Sequence, residues 1–353
     1  MGIPAATAGL TSAQTRSHRR LAKFVDWIKP EPSTRATIDK QAPDIRKNLS
    51  ARADADGLNV RATPDAGSFA KHTGLRRHMR GNSEIEGQDV DLPFVVDPVT
   101  EEGRRIDELL RRFSGYAKAS YPTTPQEVTN SSVEMEFVRS QLYYDIVPML
   151  VAPTPGYQII LKKDGSRRTT SVAKHTEFVR SRTRSSDALP GRVKFNECVR
   201  LFKWWRYERI KSSGSVDCVR TTLIELLCAS AYDKCGVETT YTATLLKWFA
   251  WLASVTARRE TVAFSDYPSI EVRENMVPGN QLWRVIDPVN ANNNVVHSEW
   301  GNLALKEFAG WFADGRDTMS RLVALEAAGN DSAADNILEQ LFGSAIVHHG
   351  ALP

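Results

Sequence analysis

The chain has 353 residues, 41% hydrophobic and 25% charged, with a net charge of +4. That length outgrows a single hydrophobic core, so two lobes are expected, and the composition excludes a disordered or fibrous chain. A charge so mild does not by itself mark a nucleic-acid binder.

No apolar stretch approaches the ~20 residues of a membrane span. The start, Met1-Gly2-Ile3-Pro4-Ala5-Ala6, lacks the apolar core of a secretion signal and the hydroxyl residue of a myristoylation site. Cys198, Cys218, Cys228 and Cys235 have neither C-x-x-C nor zinc-finger spacing, so free thiols in a cytoplasmic protein are expected, with no membrane partner.

The first fifteen or so residues are rich in Ala, Thr, Ser and Gly and read as mobile. Helices are expected over 17–28 and 33–56, the second capped by Ser33 after Pro32. A short strand over 58–63 runs into the turn Pro64-Asp65-Ala66-Gly67, and the polar, basic segment 71–88 reads as a loop. Segment 89–96 is a strand and 101–120 a helix. Segment 132–138 alternates, with Val133, Met135 and Phe137 opposite Glu134 and Glu136, and forms a hairpin with 142–151. A further strand covers 157–162. Beyond about 170 the pattern is helical, over 195–211, 219–232, 240–257 and 298 to the low 320s, with a Pro- and Asn-rich loop at 287–294. The expected organisation is a flexible N-terminus and first helix (1–33), a mixed-sheet core (34–170) and a helical lobe (171–353).

In a strand, residues i and i+2 share a face, so Asp89 and Asp91 project side by side. Two carboxylates that close repel unless cations lie between them, which suits a site for two divalent metals. A third carboxylate must come from a neighbouring strand. Glu134 and Glu136 are explained by a half-exposed face, whereas Asp145 interrupts the apolar run Tyr143-Tyr144-Asp145-Ile146-Val147, so Asp145 is the candidate. Gly67-Ser68 would offer backbone N–H groups and a hydroxyl to phosphates. Alone, each motif is commonplace; their order carries the signal.

In the helical half, Lys203 sits in Arg200-Leu201-Phe202-Lys203-Trp204-Trp205. A compact ammonium suits a triphosphate, and a snorkelling lysine beside a tryptophan core is the competing reading. Thr221 and Thr222 open a helix, either meeting phosphate or serving as caps. Arg76, Arg77 and Arg80 form a basic cluster, and a second holds Arg180, Arg182 and Arg184. Both fit a solvated charged face as well as a phosphate site.

Together these motifs, with Leu223-Ile224-Glu225-Leu226-Leu227, Phe264-Ser265-Asp266-Tyr267-Pro268 and the run from Ile286-Asp287-Pro288 to Val296, resemble the CD-NTases. These are bacterial relatives of cyclic GMP-AMP synthase and oligoadenylate synthase, and the last two motifs look like clade C, the CdnC-like enzymes of anti-phage CBASS. The resemblance implies an α+β fold with a polymerase-beta-like nucleotidyltransferase sheet lobe and a helical C-terminal lobe. It also implies Mg²⁺-dependent synthesis of a cyclic oligonucleotide, cyclic tri-adenylate in this clade, from ATP or other nucleoside triphosphates, with Mn²⁺ as an alternative metal.

By matching position, Asp89, Asp91 and Asp145 would be catalytic and hold the metals, while Gly67, Ser68, Lys203 and Thr221 would bind nucleotide. Asn290, Asn293 and Asn294 are carried over as nucleotide contacts, with Tyr232 and Trp300 as candidates for base stacking. A HORMA-domain activator with its disassembly ATPase, and double-stranded DNA, are the implied partners. The stretch between Ser68 and Asp89 is longer than is usual in the family, and Arg76, Arg77 and Arg80 there are candidate activator contacts. Two other readings share the residues: a linear-product nucleotidyltransferase acting on RNA or protein, and a non-catalytic nucleotide- or nucleic-acid-binding module. A phosphatase-resistant product would separate cyclic from linear, and three converging aspartates argue against a mere scaffold.

Overall fold

The computed structural model describes residues 15–352 except 77, 81, 82, 87, 88, 101, 217, 269 and 271–278, and only the backbone of 78–80 and 83–86. The expected mobile start and the side chains of Arg77 and Arg80 lie outside the described residues.

The first helix, α1 (Arg16–Ile28), buries Leu21, Phe24, Val25 and Ile28, and these join the core of the helical lobe rather than that of the sheet. Next, α2 (Pro32–Ala55) opens on Pro32, not on a Ser33 cap; Glu31 holds the cap position without a side-chain bond. A proline fits the first helical position because its fixed φ is already helical and its missing N–H is not needed there.

After β1 (Val60–Ala62) comes the single turn α3 (Gly67–Ala70). Segment 71–88 is not all loop: β2 (His78–Arg80) and β3 (Ser83–Glu86) form an antiparallel pair. Strands of three and four residues carry too little alternation to be read from sequence.

The strand β4 (Asp89–Val96) is followed by α4 (Ile106–Ser120), then β5 (Gln126–Val128), β6 (Val133–Phe137), β7 (Leu142–Val151), β8 (Gln158–Leu161) and β9 (Arg167–Thr170). The sheet order is β1-β4-β7-β6-β5, with β8 on the later part of β7 and β9 outside β8. Only β4 and β7 run parallel, which requires a crossover, and α4 lies within it. Even-numbered residues of β4 and β7, among them Leu92, Phe94, Tyr144 and Ile146, pack on α2 and α4. The odd-numbered residues, including Asp89, Asp91 and Asp145, therefore face the other way.

The helical lobe contains α5 (Val172–Asp187), α6 (Phe195–Ile210), α7 (Thr221–Cys235), α8 (Tyr241–Arg258), the pair β10 (Ile286–Asp287) and β11 (Asn290–Asn294), α9 (Asn302–Ala327), α10 (Asp331–Phe342) and α11 (Ser344–His349). The expected 287–294 loop is thus a small hairpin, held largely by asparagine side chains. Phe202, Trp205, Trp248, Phe249 and Phe312 stack through the lobe centre. At Gly315 a Cβ would meet the Phe249 ring at 2.6 Å, so only glycine lets α8 and α9 approach so closely.

Candidate active site

In the parallel junction, Asp91 stands directly opposite Asp145, and Asp89 opposite Tyr143. Glu134 of β6 is opposite Asp145 on the other side. Acidic groups thus share one rung of the sheet across three strands. Asp91 is pushed up to about 6, first by burial and then by the charge of Asp145, against the pull of Lys71. Burial also raises Asp145, which accepts a 2.9 Å hydrogen bond from the Ser132 hydroxyl on Oδ1. Asp89 lies at the exposed start of the strand.

Gly67 begins α3 at φ +72, and a Cβ there would lie 2.0 Å from Asp91 Oδ2. The turn therefore seats its backbone against the carboxylate, which any side chain would prevent. Ser68 follows; its carbonyl accepts the amides of Thr73 and Gly74, closing the turn.

A cavity of about 310 Å³ opens over this face, lined among others by Gly67, Lys71, Asp91, Arg168, His175, Arg220, Thr222, Asp287 and Asn293. It lies between the sheet and the helical lobe. A wider cleft of about 760 Å³ runs between α2 and the β6–β7 turn, and none of the three aspartates lines it. Among the described residues no group of three His, Cys, Asp or Glu side chains is gathered tightly enough to hold a metal ion as it stands. Two in-register carboxylates whose ionisation is opposed by mutual repulsion are nonetheless a donor set that a hard divalent cation would relieve.

Several residues singled out from sequence are held elsewhere. Lys203 is only 2% exposed and does not line the cavity; its ammonium binds Glu225 at 2.8 Å and Thr73 at 3.1 and 3.2 Å. A buried ammonium needs that carboxylate, and snorkelling fails because it has no route to water. Lys71, to which the sequence reading gave no role, is the lysine that reaches the cavity, bound to the other Glu225 oxygen at 2.8 Å. Thr222 lines the cavity, whereas Thr221 beside it does not.

Asn294 serves the fold: its amide donates to Asn280 and Trp283 carbonyls and its oxygen accepts from Val285 and Val296. Asn290 is fully buried and donates to the Thr169 carbonyl. Asn293 reaches the cavity and donates to Asp287 at 2.6 Å. His175 meets the same carboxylate at 3.1 Å, and although burial opposes it, His175 and these hydrogen bonds hold Asp287 below the usual carboxylate range.

The basic clusters are also committed. Arg76 stacks on Trp27, donates to its carbonyl and pairs with Glu31. Arg182 is clamped between Asp233 and Asp266. Tyr232 packs edge-on against Phe195, Trp300 is buried against Phe308, and neither lines the cavity.

Residues 16–182 match the Second Messenger Oligonucleotide or Dinucleotide Synthetase domain family. With aspartates arrayed on this sheet beneath a glycine-led turn, the fold and site define a nucleotidyltransferase.

The relatives narrow the class. The chain is 27% identical over 293 residues to the cyclic AMP-AMP-AMP synthase of Escherichia coli strain MS 115-1, covering 80% of this chain and 84% of that one. It is 28% identical over 272 residues to the CBASS oligonucleotide cyclase CdnC of E. coli strain KTE188, covering 74% and 76%. In fold it is similar to solved E. coli MS115-1 CdnC with ATP, at TM-score 0.76 and 23% identity over 93% of this chain and 98% of that one. The same enzyme in complex with HORMA-deltaN gives TM-score 0.74 and 23% identity over 93% and 97%. The chain is thus similar to the CD-NTases, the cyclic oligonucleotide synthases, and within them to CdnC.

Proposed function

We propose that the chain joins ATP molecules into cyclic tri-adenylate with release of pyrophosphate, as the signal-producing enzyme of an anti-phage CBASS system in the cytoplasm. The observation that carries the chemistry is the register of Asp91 against Asp145 on adjacent parallel strands, with Gly67 packed on Asp91 at the cavity floor. The product class rests on the likeness to the cyclic AMP-AMP-AMP synthase.

In each step a ribose hydroxyl attacks an α-phosphate. The new P–O bond forms as the α–β anhydride breaks, and pyrophosphate leaves. Asp145 is suited to take the hydroxyl proton on Oδ2, because Ser132 fixes Oδ1 and burial raises its affinity for a proton. Lys71 and Arg220 line the cavity and would offset the charge of the leaving phosphates. Asp89, Asp91 and Asp145 would hold two Mg²⁺ ions, with Mn²⁺ an acceptable substitute; when bound, the ions lower the pKa of the attacking hydroxyl and neutralise charge on the triphosphate. The final turnover is intramolecular: the free hydroxyl of the linear chain attacks its own 5′ α-phosphate.

The solved CdnC complex with HORMA-deltaN supports a HORMA-domain activator for this chain as well. A disassembly ATPase and double-stranded DNA are further partners proposed from the family resemblance alone. The test is incubation of purified protein with ATP and Mg²⁺, with and without these partners, followed by phosphatase treatment. A resistant product is expected from the wild type and none from the folded Asp89→Ala, Asp91→Ala double variant. Undiminished synthesis in that variant would refute the metal assignment.

A further inference from the structure

A second, smaller recess of about 110 Å³ adjoins the catalytic cavity and shares Arg168, Arg220 and Asn293 with it. Its remaining polar wall includes Lys162, Arg167 and His297, and among the described residues no carboxylate lines it. Lys162, Arg167, Arg168 and Arg220 make no ion pair within 4.0 Å among the described residues, whereas most cations elsewhere on this chain have found a carboxylate. The buried Nε of Arg168 makes no hydrogen bond, and its charge is disfavoured by burial, favoured by nearby Asp287 and disfavoured by Arg220. Four cations without an ion pair among the described residues line one recess, two of them exposed at its rim and Arg168 buried at Nε, an arrangement that an anion would complete.

The geometry points to a phosphate-retaining annex that holds the phosphate groups of the linear oligonucleotide intermediate between bond-forming steps. This rests on the cyclic-oligonucleotide reading above. A chain that must return to its own 5′ end gains from staying bound, because retention replaces a bimolecular encounter with a local one of high effective concentration. Cationic grooves track a phosphate backbone irrespective of base, and guanidinium groups are suited to phosphate oxygens. The recess is too small for a duplex and too polar for a base, so a phosphate group is the ligand its volume and charge fit.

The test uses the full chain and two rim variants, Lys162→Gln with Arg167→Gln and Lys162→Glu with Arg167→Glu, neither residue lining the catalytic cavity. The probes are a 5′-triphosphorylated adenylate dinucleotide and a non-hydrolysable ATP analogue, each titrated by calorimetry in Mg²⁺. The dinucleotide should bind tenfold or more weakly to the charge-reversed variant and about threefold more weakly to the neutral one, with the analogue within twofold of wild type. Released linear dinucleotide should rise at the expense of the phosphatase-resistant product. Unchanged dinucleotide affinity, or equal weakening of both probes, would overturn the annex. A wild type that binds the dinucleotide through these residues yet yields no cyclic product would instead overturn the proposed function and leave the annex standing.

Discussion

Gly67 shows how much a single position can decide. Its positive φ and the 2.0 Å between a virtual Cβ and Asp91 Oδ2 are independent objections to any side chain. Gly67→Ala should cost about 1–2 kcal/mol of stability from backbone strain and lower the rate of pyrophosphate release on the order of 100-fold by displacing Asp91. Thermal melting and a coupled pyrophosphate assay would measure both.

Asp91 also makes a prediction about pH. Its folded carboxyl titrates near 6, above the ordinary 3.8, so the folded state binds this proton more tightly than the unfolded chain. Stability from this group is fully present below about pH 4 and lost as pH rises through about 6. Asp91→Asn should therefore stabilise the metal-free protein at pH 7.5 by about 1–2 kcal/mol, after discounting for its partial exposure, and by nothing at pH 3.5. Urea denaturation at the two pH values checks this, and Mg²⁺ added to the wild type should narrow the gap.

At the scale of the element, the β10–β11 hairpin separates two kinds of asparagine. Alternation along β11 puts Asn290 and Asn294 on one face and Asn293 on the other. Asn294→Ala would leave two carbonyls and two amides without their partner, costing about 2–4 kcal/mol, read as a lower melting temperature. Asn293→Ala should cost less, about 1–2 kcal/mol for the bond lost to buried Asp287, and also raise KM for ATP several-fold, since its side chain reaches the cavity. The sequence shows an asparagine-rich run but not the strand beneath it, because asparagine is a turn former and no apolar alternation announces the pairing. Other elements went unread, and three of them for related reasons. The strands β5 and β9 are too short to show a period, and α5 is too polar along most of its length to display an apolar stripe.

For the whole molecule, the lobes are joined where Glu225 of α7 accepts from Lys71, Thr73 and Lys203. Burial opposes its charge, yet the two lysines hold its carboxyl well below the usual range. That stability exists above the unfolded carboxyl pKa of about 4.3 and is lost as pH falls below it. Glu225→Gln should cost about 3–5 kcal/mol at pH 7.5, since two ammonium groups lose their buried partner, and distinctly less at pH 3. It should also raise KM for ATP by freeing Lys71 from its place at the cavity edge. Denaturation at both pH values and steady-state kinetics would separate the effects.

The sequence by itself determined the local facts: a mixed sheet followed by helices, alternation that sets Asp89 and Asp91 on one face, and a charge at Asp145 inside an apolar strand. Those follow from periods of two and 3.6 residues, which neighbouring residues alone impose. Only the tertiary structure decided that β7 lies parallel to β4 with Asp145 opposite Asp91, and that α1 packs in the distant helical lobe through contacts such as Arg20 to the Ile346 carbonyl. It also decided that Lys71 rather than Lys203 faces the cavity. Each of these depends on contacts between residues far apart in the chain, and the registers and buried partners that fix them exist only once both cores have closed.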